Sequence, residues 1–375
     1  PDSRRIFTAS WDDTARVWDL SGAKPTATIL EGHKRGVMAA SFSPDGRRIV
    51  TASWDDTARV WDLSGAKPTA TILEGHKGSV RAASFSPDGR RIVTASFDKT
   101  ARVWDLSGAK PTATILEGHR GPVTAASFSP DSRRIFTASW DDTARVWDLS
   151  GAKPTATILE GHEGLVSAAS FSPDGRRIVT ASLSLDTTAR VWDLSGAKPT
   201  ATILEGHEDS VTAASFSPDG RRIVTASSDK TARVWDLSGD TPTATILEGH
   251  KGSVRAASFS PDGRRVVTAS DDDTARVWDL SGDKPTATIL EGHKGMVNAA
   301  SFSPDGRRIV TASSDGTVLR WEIHPDIAEL AALVRSRLTR CLSSAQRDQF
   351  GLPVEDAARP RDLIPAPDAS GLCPR

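Results

Sequence analysis

The chain has 375 residues, 47 Lys and Arg against 48 Asp and Glu, 38% apolar residues, two cysteines and no tyrosine. A formal net charge of -1 leaves no basic footprint for nucleic acid, and no apolar run reaches the ~18 residues a membrane helix needs. Both cysteines, Cys341 and Cys373, fall near the C-terminus, so no disulfide framework holds the bulk of the chain together, which points to the cytoplasm.

The chain opens at Pro1 with neither a methionine nor a signal-peptide core, and is expected to be a fragment of something longer. From there a period governs it. Trp-Asp recurs at Trp18, Trp61, Trp104, Trp147, Trp192, Trp235 and Trp278, 43 residues apart but for one step of 45, and Trp321-Glu322 closes the series. Gly-His keeps the same period, at His33, His76, His119, His162, His207, His250 and His293.

Each unit reads as four short strands, lettered a to d from the centre outward. In the unit from Gly75, Val80 to Ser86 is small and apolar, and Pro87-Asp88-Gly89 supplies a tight turn. Arg91 to Ser96 is the second strand, Asp98-Lys99 turns the chain, and Thr100 to Leu106 alternates as the third. Ser107-Gly108 and Pro111 then break before Thr112 to Leu116. Four antiparallel strands bury neither face alone, and radial repetition packs each unit on its neighbours.

The run GH, FSPDG and TASxDxTARVWD on this period resembles the WD40 repeat family, over residues 1 to about 323. The resemblance implies an all-β propeller and, residue by residue, a polar tetrad in each unit. These would be His33, Thr51, Asp55 and Trp61; His76, Thr94, Asp98 and Trp104; and His119, Thr137, Asp141 and Trp147. Ser96 shares a strand face with Thr94 and is the alternative hydroxyl. Such groups satisfy one another and are expected to be structural. Residues 1–31 supply only strands b, c and d, and 297–323 only a, b and c, with six full units between. A seven-blade ring would leave Ile6, Phe7, Val17 and Trp18 unburied, wasting ~25 cal/mol per Å² of apolar surface. Eight blades, two of them three-stranded, are therefore favoured over seven.

Three positions vary most between the copies. Before the strand-a valine stand Gly36, Ser79, Pro122, Leu165, Ser210, Ser253 and Met296; after it, Met38, Arg81, Thr124, Ser167, Thr212, Arg255 and Asn298. Before the turn aspartate stand Trp11, Trp54, Phe97, Trp140 and Leu185, then Ser228, Asp271 and Ser314. Blade geometry brings d-to-a loops and b-to-c turns to one face, a common docking site in the family the chain resembles. Of 11 tryptophans, Trp11, Trp54 and Trp140 are extras the repeat does not require. Both methionines, Met38 and Met296, are at variable positions, where an adaptable side chain suits binding. The residue after each histidine changes from Lys34, Lys77 and Arg120 to Glu163 and Glu208, then to Lys251 and Lys294. An aromatic arc flanked by charge has the composition of a protein or peptide hot spot, with Trp54, Phe97, Trp140 and Arg81 carrying the affinity. Recent duplication with drift at solvent positions would scatter changes in the same places. The inserted Leu183-Ser184 is either a lip over this face or plain loop tolerance.

No catalytic constellation stands out: a triad reading of the histidines would make every copy a triad. Asp271-Asp272-Asp273 lacks the spaced oxygens of a calcium loop, and no phosphate loop, zinc spacing or cofactor motif occurs. The Arg-Arg pairs, such as Arg90-Arg91, read as a solvated, charge-balanced rim on the opposite face, and His324 as a surface loop residue. After Ile323 the repeat stops. Ile327, Leu330, Val334, Leu338 and Cys341 have helical spacing, and Ser343-Ser344-Ala345-Gln346 resembles a capping box, so 324–352 is expected to be a short helical extension and 353–375 a flexible tail. The run LTRCLSSAQRDQFGL resembles tails closing bacterial WD40 proteins in which an effector or signalling NTPase precedes the propeller.

Three functions fit: a non-catalytic scaffold or sensor that binds a protein or peptide, a regulatory end restraining an N-terminal effector or NTPase module, and a self-assembling structural element. Neither nucleic acid, membrane nor cofactor is expected as a partner.

Overall fold

In a computed structural model the described residues are 4–22, 24–184 and 186–323. The expected helical extension, the tail, His324 and Leu185 lie outside them. The strands group as eight antiparallel sheets in chain order, six of four strands and a three-stranded one at each end of the series. The fold is an all-β, eight-bladed propeller. Blade 1 consists of β1 (Arg5–Ala9), β2 (Ala15–Asp19) and β3 (Thr26–Leu30), and blade 2 of β4 (Val37–Phe42), β5 (Arg48–Ser53), β6 (Ala58–Asp62) and β7 (Thr69–Leu73). Blade 8 has Val297–Phe302, Arg308–Ser313 and Val318–Glu322.

Alternation along each strand explains the packing between blades. In blade 2 the register pairs Ile49 with Trp61, Val50 with Val60 and Ala52 with Ala58. Ile49 and Trp61 face blade 1 and pack with Ala15, Val17 and Leu30. Val50, Ala52, Ala58, Val60 and Leu73 face the other way, onto Val80, Phe85, Ile92 and Trp104 of blade 3. Both faces of β5 are therefore covered, and five of its six residues are buried. β7 is the outermost strand and buries only Leu73. A sheet that must bury both faces reads as a near-continuous apolar run in its middle strands, as RIVTAS and ARVWD do.

Strand a carries the same irregularity in blades 2 to 8. Its register slips between Val37 and Ala39, and at the equivalent place in each later copy, so Met38, Arg81, Thr124, Ser167, Thr212, Arg255 and Asn298 are all bulge residues. A bulge inserts a residue without a ladder partner and re-aims its side chain. One of the three most variable positions in the repeat is thus a place where the sheet constrains the side chain little.

Two sequence expectations need correction. The N-terminal segment is only partly buried in the eight-blade arrangement: Val17 is in the core, but Phe7 remains 37% exposed, because among the described residues no inner strand covers β1. The second arginine of the Arg-Arg pairs in blades 2 to 7 is also no solvated rim. Arg48 donates to the Gly89 carbonyl of the next blade at 2.8 Å and lies 5.4 Å from the Phe85 ring centre. Arg134 repeats this on Gly175 at 2.7 Å and on Phe171 at 5.9 Å. A guanidinium serves here because it offers a planar cation to the ring and a directed donor to the carbonyl at once.

Candidate functional site

Each histidine sits in the loop from strand d to the next strand a, and Gly-His places it over strand b. His33 Nε2 lies 2.7 Å from Thr51 Oγ1 and Nδ1 2.9 Å from an Asp55 carboxylate oxygen, while Trp61 Nε1 donates to Thr51 at 2.9 Å. The second unit brings together His76, Thr94, Asp98 and Trp104, with distances of 2.8, 2.8 and 2.9 Å. The third joins His119, Thr137, Asp141 and Trp147, at 2.7, 2.9 and 2.9 Å. Threonine supplies the central hydroxyl. Ser96 instead donates to the Gly78 carbonyl at 2.7 Å and accepts from the Asp98 amide, fastening loop to turn.

The donors fix the direction of the chain. Indole N–H can only donate, so the threonine proton goes to Nε2, and the imidazole carries its own proton on Nδ1, facing the aspartate. Burial disfavours the imidazolium at His33, His76 and His119 and outweighs the attraction of the carboxylate, lowering each pKa. Burial also opposes ionisation of Asp55, but hydrogen bonds from Thr57, the Lys34 amide and His33 overcome it and hold the carboxyl at about 2. Thr57 was not anticipated from sequence. Its hydroxyl reaches Asp55 at 2.6 Å, and Thr100 and Thr143 do the same in their units. The available signal was a threonine two residues after every turn aspartate. Both ring nitrogens of His33, His76 and His119 are engaged, so each triad-like group is closed on itself.

Above these chains lies the rim that varies from blade to blade. The Trp54 amide donates to the Gly36 carbonyl at 3.0 Å, and Phe97 to Ser79 and Trp140 to Pro122 likewise, which ties each b-to-c turn to a d-to-a loop. Trp11 is 74% exposed and Trp140 37%, whereas Trp54 and Phe97 are half-buried. The rings form two pairs: Trp11 on Trp54 at 5.5 Å between centres and Phe97 on Trp140 at 5.2 Å. Arg81 lies 5.6 Å from the Phe97 ring centre, and burial of its guanidinium lowers its pKa.

The remaining rim residues divide by what holds them. Arg255 forms two hydrogen bonds with Asp271, at 2.7 and 2.8 Å, and Asn298 donates to Ser314 at 3.1 Å. Thr124 is half-buried with its hydroxyl 3.4 Å from the Ala138 and Val166 carbonyls. Met38 is half-buried, and Met296 is exposed by 43%. In the inserted turn the Ser184 amide donates to Ser210 of the following blade at 3.0 Å, so this loop leans sideways along the rim. The three successive aspartates are each accounted for: Asp271 binds Arg255, Asp272 binds His250, and Asp273 takes the left-handed turn position at φ 66°.

The sequence profile of the WD domain, G-beta repeat family matches residues 1–19, 23–62, 66–105, 109–148, 152–193, 197–236, 241–279 and 283–322. The chain belongs to the WD40 repeat family. No curated protein matches it. WD40 propellers are generally protein-interaction scaffolds and typically non-catalytic. Among the described residues no helix is long and apolar enough to cross a membrane.

Proposed function

We propose that this WD40 propeller is a non-catalytic docking platform that binds a protein or peptide on the rim of d-to-a loops and b-to-c turns. The observation that carries the reading is the two tilted aromatic pairs, Trp11 with Trp54 and Phe97 with Trp140, at positions filled by Ser228, Asp271 and Ser314 elsewhere. None of these rings belongs to the hydrogen-bond chains that hold the blades. Exposed Trp11 and Trp140 are the contact surfaces, and Trp54 and Phe97 set their tilt. Rings already held against one another lose little conformational freedom on binding, which favours them as anchors.

The test compares the native chain with a Trp11→Ala/Trp140→Ala variant, as bait for lysate proteins and then in titration against any protein retained. The variant is expected to melt with the native chain and to lose about 2 kcal/mol or more of binding free energy. Equal retention at matched melting temperature would remove the rim from the account. Light scattering over a concentration series separates docking of another protein from self-association, which would raise the mass of the native chain alone.

A further inference from the structure

The repeats of blades 3 and 7, from Gly75 to Leu106 and from Gly249 to Leu280, differ at three residues only: Ile92 against Val266, Phe97 against Asp271 and Lys99 against Asp273. The last two differences lie in the b-to-c turn on the variable rim, and Arg81 and Arg255 occupy the same bulge position beside that turn. One chain therefore holds the same arginine with and without an acid next to it.

With the acid, the arginine is satisfied from within. Arg255 donates through Nε and Nη2 to the two carboxylate oxygens of Asp271 at 2.7 and 2.8 Å, a two-pronged fit that raises the pKa of the guanidinium. Without it, Arg81 lies 5.6 Å from the Phe97 ring centre and forms no hydrogen bond or ion pair among the described residues. A ring face attracts the charge but offers the N–H groups no strong acceptor. Arg81 is half-buried, and burial lowers its pKa, the opposite of what Asp271 does to Arg255. The acid missing from this turn is not replaced nearby: Lys77 and Lys99 are exposed cations, and Asp98 is taken up by His76, Thr100 and the Lys77 amide. Trp140 of blade 4 leans on Phe97 and gives the place an apolar wall.

Resting on the docking reading above, we propose that Arg81 sets the specificity of the rim: it takes an aspartate or glutamate side chain of the partner, while the Phe97–Trp140 pair takes an apolar side chain next to it. The partner is an acidic protein segment, whose carboxylate plays in blade 3 the part that Asp271 plays in blade 7. A carboxylate is chosen over a phosphate because the fold itself meets this arginine with a carboxylate, two oxygens on one fork. A half-buried guanidinium whose donors have no acceptor gains more from such a partner than a solvated one, since part of its hydration is already lost.

The experiment titrates the full chain with end-capped peptides that carry one tryptophan and one aspartate at varied spacing in a Gly-Ser background, together with twins in which asparagine or phosphoserine replaces the aspartate. At least one aspartate peptide is expected to bind saturably, with its asparagine twin about tenfold weaker. Two variants place in blade 3 what other blades already hold: Arg81→Thr, as at Thr124 and Thr212, and Phe97→Asp, as at Asp271. Both are expected to melt close to the native chain and to bind the aspartate peptide about tenfold more weakly, the second because its own carboxylate occupies the fork. Should either fail to fold, the asparagine twin measured on the native chain still decides. Absence of binding by every aspartate peptide, equal binding of the asparagine twin, tighter binding of the phosphoserine twin, or undiminished binding to a folded Arg81→Thr chain would each overturn the proposal. Binding that is lost in the Trp11→Ala/Trp140→Ala chain but equal for aspartate and asparagine would leave docking on the rim standing and remove the acidic partner alone.

Discussion

The chain of donors from Trp104 through Thr94 to His76 and Asp98 has one consistent direction, and Thr94 stands at its centre with both of its roles used. Replacing that hydroxyl by a methyl keeps the volume but strands a buried indole N–H and a buried imidazole nitrogen. Each stranded group costs about 1–3 kcal/mol, so Thr94→Val is expected to lose about 2–4 kcal/mol in urea unfolding. Thr112→Val, on the exposed outer strand, is expected to stay within about 0.5 kcal/mol of the native chain. Equal effects of the two would mean that the chain of hydrogen bonds contributes nothing beyond its volume. Trp104→Ala goes further, because it opens a cavity between two blades as well and costs about 3–5 kcal/mol.

The turn from strand a to strand b shows how an element tolerates a residue that its backbone disfavours. In blades 2, 3 and 5 to 8 the turn is Pro-Asp-Gly, with Gly46, Gly89, Gly175, Gly220, Gly263 and Gly306 at φ 67 to 70°. Blade 4 puts Ser132 there, at φ 60°. A non-glycine residue pays roughly 1 kcal/mol in that region, so Ser132→Gly is expected to stabilise the protein by about that amount, read as a rise in melting temperature. A fall would show that the 3.3 Å contact from the Asp88 amide to the Ser132 hydroxyl matters more than the strain. The same turn illustrates what sequence makes legible. Pro-Asp-Gly, the Trp-Asp period and the alternating strands each have a local cause, so strand order follows from spacing, whereas the choice of eight blades over seven needed an argument from burial. The strand-a bulge was not legible, because Val-x-Ala-Ala reads as an ordinary strand until its partner's register is known. The rim was legible only in part: composition singled out Trp11, Trp54 and Trp140, but their pairing, and the engagement of Arg255 by Asp271, depend on rotamers and neighbouring turns.

Across the whole molecule the same histidine shift recurs in blades 2 to 7, so small effects add. Burial lowers the pKa of His33, His76, His119, His162, His207 and His250, so the unfolded chain binds more protons just below its own histidine pKa of about 6.5. Stability from these groups is full above that pH and falls as acid is added. The aspartates act lower down. Asp55, Asp98, Asp141 and Asp229 ionise at about 2 in the fold, so their contribution is full above the unfolded value of about 4 and is lost between about 4 and 2. Melting temperature is therefore expected to decline from about pH 7 downward and to fall more steeply below about pH 4. A flat profile from neutrality to about pH 4 would contradict neutral, buried histidines.

The arginine bridges all run one way. Arg48 reaches blade 3, Arg134 blade 5 and Arg265 blade 8, but Arg308, in the last blade, turns back to its own Asp305 at 3.2 Å. Each joint thus joins a front to a back, and every front and back between blades 2 and 8 is made of nearly the same residues. Excising one repeat, as unequal recombination between near-identical segments does, would leave the flanking surfaces chemically matched. Going from eight blades to seven changes the angle at each joint only from about 45° to about 51°. Copy number in such an array is therefore weakly policed by its own interfaces.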